Sequence, residues 1–232
     1  MSKKDYYTIS KNVEKIIQEK HTNFLNQNIL KKVISKLKKE NYNIYYPYKD
    51  SEKLILYVKE LPNICLLEII TKEKLEHREI MGSFYNLSIE PEMFGDIVIN
   101  NGHYYIFVMD YICESFIEEM KKIGNKNVKL EKVSLEKAKE FKRKYEKMEI
   151  AVPSLRLDVI VSKIIGKSRN TVKEKFSNNE IILNNEICKK QMYILKIGDI
   201  FSIKKQGKYK FESVIKKNKK NNYVLIINKY AC

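Results

Sequence analysis

The tripeptide Asn100-Asn101-Gly102 stands between two short runs of β-branched and aromatic residues, 96–99 and 104–108. Asn-Gly is the strongest short-range hairpin signal, because both residues tolerate the positive φ that a two-residue turn demands. It therefore places two adjacent antiparallel strands in the middle of the chain, and the neighbouring segments can be read outward from them. Upstream, 64–70 is an apolar run bounded by Pro62 and Lys72, and 75–87 carries Ile80, Met81 and Phe84 at helical spacing. Downstream, 111–123 sets Ile112, Phe116, Ile117 and Met120 on one helical face, with Gly124 placed to close it, and 128–133 reads as a strand. From Ile64 the order is β-α-β-β-α-β, the split βαβ unit. Tyr104, Tyr105 and Phe107 fall on the third strand, where RNA-recognition domains of this topology carry stacking rings. The glycine-bearing octamer of those domains is absent, so packing in the core is the preferred reading of these rings.

Before this unit, Val13, Ile16 and Ile17 form one short apolar stripe, and Leu30, Val33, Ile34 and Leu37 a longer one with lysines opposite. Two helices are expected, the second ended by the polar residues 41–43, then short strands at 44–48 and 54–58. After the unit, 134–145 is charged and reads as a linker. Residues 149–153 then lead extended into a second domain, since the residue before Pro153 avoids helical ψ.

The charge is uneven along the chain. Residues 151–232 hold 18 Lys/Arg against 6 Asp/Glu, whereas residues 1–150 hold 27 against 23. A lysine-rich proteome would raise Lys throughout, but it does not explain why the acids thin out after Glu149. A basic domain beside a nearly balanced one points to a polyanionic partner at one end. Cys65, Cys113, Cys188 and Cys232 have no paired spacing, and His21, His77 and His103 are isolated, which predicts reduced thiols, no metal and no cofactor. The polar start of the chain, and the lack of any apolar run near the ~20 residues of a spanning helix, predict a cytoplasmic protein with no membrane partner.

Residues 154–214 are the most specific part. Ser154-Leu155-Arg156-Leu157-Asp158 opens a helix with Leu157, Val161, Ile164 and Ile165 on one face, Gly166 stops it, and Ser168 caps a second helix over 169–176. A hairpin follows, 180–183 and 186–188 about Asn184-Asn185; Gly198-Asp199 turns into 200–204, and Gln206-Gly207 turns back into 210–214. Two short helices before a small curled sheet, with Lys167-Ser168-Arg169 between them and Ile197-Gly198-Asp199 later, resemble the S4 domain, the alpha-L RNA-binding motif. Asn179 and Asn185 stand where that family most often has glycine. Asparagine is the best non-glycine residue at positive φ, so the turns should survive. By position, the resemblance implies RNA contacts at Arg156, Lys163, Lys167, Ser168, Arg169, Asn170, Lys173 and Asn184. Arg and Lys would neutralise phosphates, and the amides opening the second helix add a positive dipole end. The lysines at 216, 217, 219 and 220 sit in an exposed turn before a last strand, 223–227, and a merely solvated loop explains them equally well.

Farther upstream, Lys74-Leu75-Glu76-His77-Arg78-Glu79-Ile80-Met81-Gly82-Ser83, Phe94-Gly95-Asp96-Ile97-Val98 and Thr22-Asn23-Phe24-Leu25 resemble the YlmH family. That family carries a C-terminal S4 domain behind an RNA-binding domain, and is encoded near bacterial cell-division genes. Residues 42–59 depart from its pattern, which expects a Gly-Gly turn and an Ala-Glu-Arg-rich segment there. His77 and Glu79 are too close on a helix to act as base and orienter, so His77 or Arg78 is expected to bond the Phe94-Gly95-Asp96 turn instead.

The expected fold class is α+β: an N-terminal helical and β subdomain at 1–63, a split βαβ domain at 64–134, a linker at 135–152 and an S4 domain at 153–232. The resemblance implies a monomeric, non-enzymatic protein that binds structured RNA, ribosomal RNA with tRNA as a further candidate, on the large ribosomal subunit, in rescue or quality control of stalled ribosomes. Two alternatives stay open. Leu155-Arg156-Leu157-Asp158 mimics the pseudouridine-synthase motif built around an aspartate, although only about 150 residues lie outside the S4 segment and no Gly-x-Gly-x-x-Gly loop is present. A division-site adaptor is suggested by the family's gene neighbourhood alone.

Overall fold

The structure is a computed structural model, and it describes residues 3–37, 41–87 and 89–230. The chain divides into two compact units, one up to Lys142 and the other from Arg143 onward. Both mix helices with antiparallel sheet, as the α+β expectation requires.

In the first unit, α1 (Lys3–Glu19), β1 (Leu25–Asn26), α2 (Gln27–Lys36), β2 (Asn43–Tyr45) and β3 (Lys53–Tyr57) enclose one core. The strands run in the order β1-β3-β2, and Ile9, Ile16, Leu30, Val33, Leu54 and Leu56 are its buried centre. The stripe on α1 is Ile9, Val13 and Ile16. Ile17, expected on that stripe, is 54% exposed because it lies a hundred degrees round the helix from Ile16. Asn26 caps α2, its Oδ1 accepting from Ile29 N at 3.0 Å. The second strand stops at Tyr45, two residues short of Pro47, and Tyr48 turns into the core.

The second sheet contains β4 (Ile64–Ile70), β5 (Phe94–Asn100), β6 (His103–Met109) and β9 (Lys129–Val133), with α3 (His77–Asn86) between the first two in sequence. Its order is β5-β6-β4-β9, antiparallel throughout, which is the interleaving a split βαβ chain path produces. Asn101 (φ 51°) and Gly102 (φ 84°) make the predicted hairpin turn. The helix expected over 111–123 is shorter: a 3-10 turn at Asp110–Ile112 leads into α4 (Cys113–Glu119). Gly124 (φ 60°) does not close it. It sits in the turn between β7 (Lys122–Ile123) and β8 (Lys126–Asn127), where the buried Ile123 anchors a small ladder.

Strand alternation sends side chains to both faces of this sheet, and both faces are covered. Cys65, Leu67, Ile69, Tyr104 and Ile106 meet Ile80, Phe84 and Phe116 of the helices. Leu66, Tyr105 and Phe107 meet Phe24, Tyr48, Ala138 and Phe141. The stretch 134–145 is therefore not a free linker. Ser134 caps a 3-10 segment, Leu135–Glu140, and Ala138 and Phe141 close the sheet's second face. Their spacing of three puts two apolar side chains on one side of an otherwise charged run.

The second unit starts with β10 (Tyr145–Val152), followed by α5 (Leu157–Ile165), α6 (Arg169–Ser177), β11 (Ile181–Leu183), β12 (Glu186–Ile187), β13 (Ile200–Ile203), β14 (Gly207–Lys217) and β15 (Tyr223–Tyr230). The sheet order is β10-β15-β14-β13-β11-β12. Residues 145–152 pair with β15 along their whole length, so they are sheet rather than connection. Leu157, Ile160 and Val161 of α5, with Val172 and Phe176 of α6, bury one face against Val152, Phe201, Tyr209, Phe211, Leu225 and Ile227. Each such side chain contributes about 1.5–3 kcal/mol by leaving water. Asn179 (φ 56°) and Asn185 (φ 67°) occupy the left-handed region, as expected of asparagines that replace glycine, and Asn184 (φ 48°) does so beside them.

Candidate nucleic-acid interface

Six of the eight expected contact residues, all but Arg156 and Asn184, gather where α5 passes into α6. Gly166 (φ 63°) ends α5 in the left-handed conformation, and its N–H donates to Ser162 O. Ser162 Oγ donates to Lys167 O at 2.6 Å, which fixes the turn. Ser168 then caps α6, its Oγ accepting from Thr171 N at 3.3 Å. Lys163, Lys167, Arg169, Asn170 and Lys173 are exposed along this turn and the first half of α6. Lys163 and Arg169 border one open depression of about 340 Å³, with Val152, Pro153 and Ser162 along its wall. None of Lys163, Lys167, Arg169 and Lys173 has an ion-pair partner among the described residues, while Lys175, one turn on, is held by Glu180 at 2.8 Å. That contact holds the Glu180 carboxyl below its ordinary range. The positive charge of the turn is thus left for an outside anion.

Three of the expected contacts have internal work. Arg156 precedes α5 and clamps Asp158, Nε to Oδ1 at 3.0 Å and Nη2 to Oδ2 at 2.7 Å. It is half-buried rather than exposed, and the pair raises its pKa. Asn184 joins two turns: its Nδ2 donates to Asp199 Oδ1 at 2.9 Å and its Oδ1 accepts from Ile200 N at 2.9 Å. The Ser168 hydroxyl is occupied by its cap. Asp199, buried at 9% and expected at a turn though not as a site residue, accepts from Lys196 N with its second oxygen, closing the Gly198 turn.

Tyr104, Tyr105 and Phe107 are 8%, 2% and 0% exposed, so they are core and cannot stack bases. Glu79 closes a capping box with Glu76 and accepts two hydrogen bonds from Lys126 Nζ, at 2.8 and 2.7 Å, which hold its carboxyl low. Arg78 lies 4.0 Å from Glu76, not on the 94–96 turn, whose Asp96 accepts from Tyr48 Oη and Glu52 N. Cys65, Cys113 and Cys188 are free and buried, and Cys232 lies outside the described residues. Among the described residues no group of three or more His, Cys, Asp and Glu could hold a metal ion, and no helix is long and apolar enough to cross a membrane.

Residues 63–137 match the family described as "Putative RNA-binding domain in YlmH", and residues 146–226 match the C-terminal domain of mitochondrial transcription rescue factor 1. These matches define the class, an α+β chain with a YlmH-type RNA-binding domain in its first unit and a rescue-factor-type domain in its second. Over residues 63–137 the chain is thus similar to the YlmH family. It is 24% identical over 149 residues to the ribosome-associated protein quality control protein P2 of Bacillus subtilis (strain 168), covering 64% of this chain and 58% of that one. The chain thus spans less than two thirds of the curated relative it matches. It is also similar to the cell division protein ylmH from Streptococcus pneumoniae, with a TM-score of 0.46 and 24% identity over 60% of this chain and 97% of that one.

Proposed function

We propose that the chain is a non-catalytic RNA-binding protein that docks on ribosomal RNA of the large subunit, in rescue or quality control of stalled ribosomes. In this reading residues 153–232 are an S4 domain, with β10 added at its sheet edge, and residues 64–134 are the split βαβ domain. The observation that carries it is the row of cations without internal partners, Lys163, Lys167, Arg169 and Lys173, on an ordered helix–turn–helix surface. Such a surface neutralises phosphates, and its fixed shape selects a structured RNA. The similarity to a ribosome-associated quality control protein of Bacillus subtilis supports the ribosome as the place of action.

The pseudouridine-synthase alternative finds no support at Asp158. Its carboxylate is clamped by both arms of the Arg156 guanidinium and is 7% exposed, an arrangement that serves the start of α5. The adaptor alternative rests on no residue of the chain. Gradient sedimentation tests the proposal: the protein should travel with large ribosomal subunits, more so when they retain peptidyl-tRNA. Recovery with small subunits alone, or only at the top of a low-salt gradient, would overturn it.

A further inference from the structure

The face of the six-stranded sheet turned away from α5 and α6 carries a second group of rings and cations. Tyr145 and Tyr230 are direct cross-strand partners on β10 and β15, and their rings meet edge to face at 5.2 Å. Arg143 Cζ and Lys208 Nζ each lie 5.0 Å from the centre of the Tyr230 ring. One pleat further along come Lys147 on β10 and Lys210 on β14, both opposite Asn228 of β15. Alternation puts these residues on the other face from Met148, Ile150, Ile227, Tyr209 and Phe211, which pack beneath the helices. Lys147 is exposed and the others are half-buried. Glu212, an acid beside this group, is engaged with Lys210 at 3.1 Å and with Asn228.

Two cations thus lie at the Tyr230 ring and two more follow opposite Asn228. Rings flanked by guanidinium and ammonium groups on a sheet face are what unpaired bases and their phosphates require: bases stack on rings, and cations follow the backbone. Duplex RNA hides its base faces, so this surface suits a single strand, whereas the α5–α6 turn suits a folded one. We infer that this outer face is a second nucleic-acid site, which takes unpaired bases of single-stranded RNA on Tyr145 and Tyr230 and the adjoining phosphates on Arg143, Lys147, Lys208 and Lys210. It stands independently of the α5–α6 surface.

The test is fluorescence anisotropy with the full chain, using labelled oligouridylate of about 12 nucleotides, within the usual span of such sites, and in parallel a stable RNA hairpin. Tyr145→Leu with Tyr230→Leu keeps the cross-strand apolar contact and removes the rings. It should weaken oligouridylate binding at least about fivefold, the lower end for loss of a stacked base, and leave hairpin binding unchanged. Lys167→Glu with Arg169→Glu should do the reverse, so failure here is distinguishable from failure of the α5–α6 assignment. If the tyrosine variant does not fold, Lys147→Gln with Lys210→Gln serves instead, with selective loss of oligouridylate binding again expected. No oligouridylate binding by the wild type, or equal loss for both RNAs, would overturn the inference and leave a protein ligand as the occupant of this face.

Discussion

Asn184 divides the two meanings of an S4-like turn residue, RNA contact and structural lock, and replacing it by alanine separates them. The side chain makes two hydrogen bonds of 2.9 Å, to Asp199 and Ile200 N, and the residue holds φ at 48°. The neutral bond from Ile200 N is worth about 0.5–1.5 kcal/mol net, and the bond to the Asp199 carboxylate about 1.5–3 kcal/mol. Alanine in the left-handed region costs about 1 kcal/mol more than asparagine, whose short polar side chain tolerates it. Asn184→Ala should therefore destabilise the second unit by about 3–5.5 kcal/mol. At about 4–8 °C per kcal/mol for a domain of this size, its melting transition should fall by about 12 °C or more. Asn184→Gly forfeits the same bonds but relieves φ, so it should lose about 1 kcal/mol less. Calorimetry of the full chain gives the transition, and filter binding well below it gives the affinity, which should stay within about twofold of wild type because the lock, not the RNA, uses the amide. A variant that melts like wild type yet loses RNA binding would refute the structural reading.

Other outcomes follow from the same contacts. Burial lowers the Lys53 ammonium to about 8, while its Nζ donates to Pro91 O and Phe94 O, both at 2.6 Å. Between pH 8 and 10.5 the unfolded chain then holds the proton that the fold has released, so stability relative to Lys53→Met should rise with pH across that window by up to about 3 kcal/mol. Denaturant titrations of the two proteins at several pH values measure this, and a difference independent of pH would contradict it. Arg156→Glu would set a carboxylate beside Asp158 and should lower the melting temperature together with RNA binding, whereas Lys167→Glu and Arg169→Glu should lower binding alone; circular-dichroism melts beside filter binding distinguish the cases, and an unaltered melt for Arg156→Glu would refute the clamp.

What could be read from the residues was local. The Asn101-Gly102 hairpin, the left-handed stop at Gly166, the Ser168 cap and the asparagine turns each depend on a few neighbouring residues, and each stands where expected. What could not be read depends on distant partners. Residues 149–153 read as a lead-in because nothing nearby reveals that β15, some eighty residues later, pairs with 145–152. Phe141 stands in a charged run that reads as a linker, and only the distant sheet face it covers accounts for its burial. Gly124 fits a helix end and a hairpin turn equally well, and the burial of Ile123 decides for the turn. In the site, the cations were legible as types and spacing. That Asn184 and Arg156 are engaged within the fold follows from Asp199, fifteen residues on, and from an ion pair across the start of α5.

The central claim, that the α5–α6 turn binds RNA through phosphates, is tested most directly by the salt dependence of hairpin RNA affinity, compared between the full chain and its Lys167→Glu, Arg169→Glu variant. Each phosphate contact contributes about 0.7–0.9 to the slope of log affinity against log salt, so loss of two should flatten the slope by roughly 1.4–1.8 and weaken binding most at low salt. The same slope and affinity for both proteins would contradict the assignment of RNA binding to this surface.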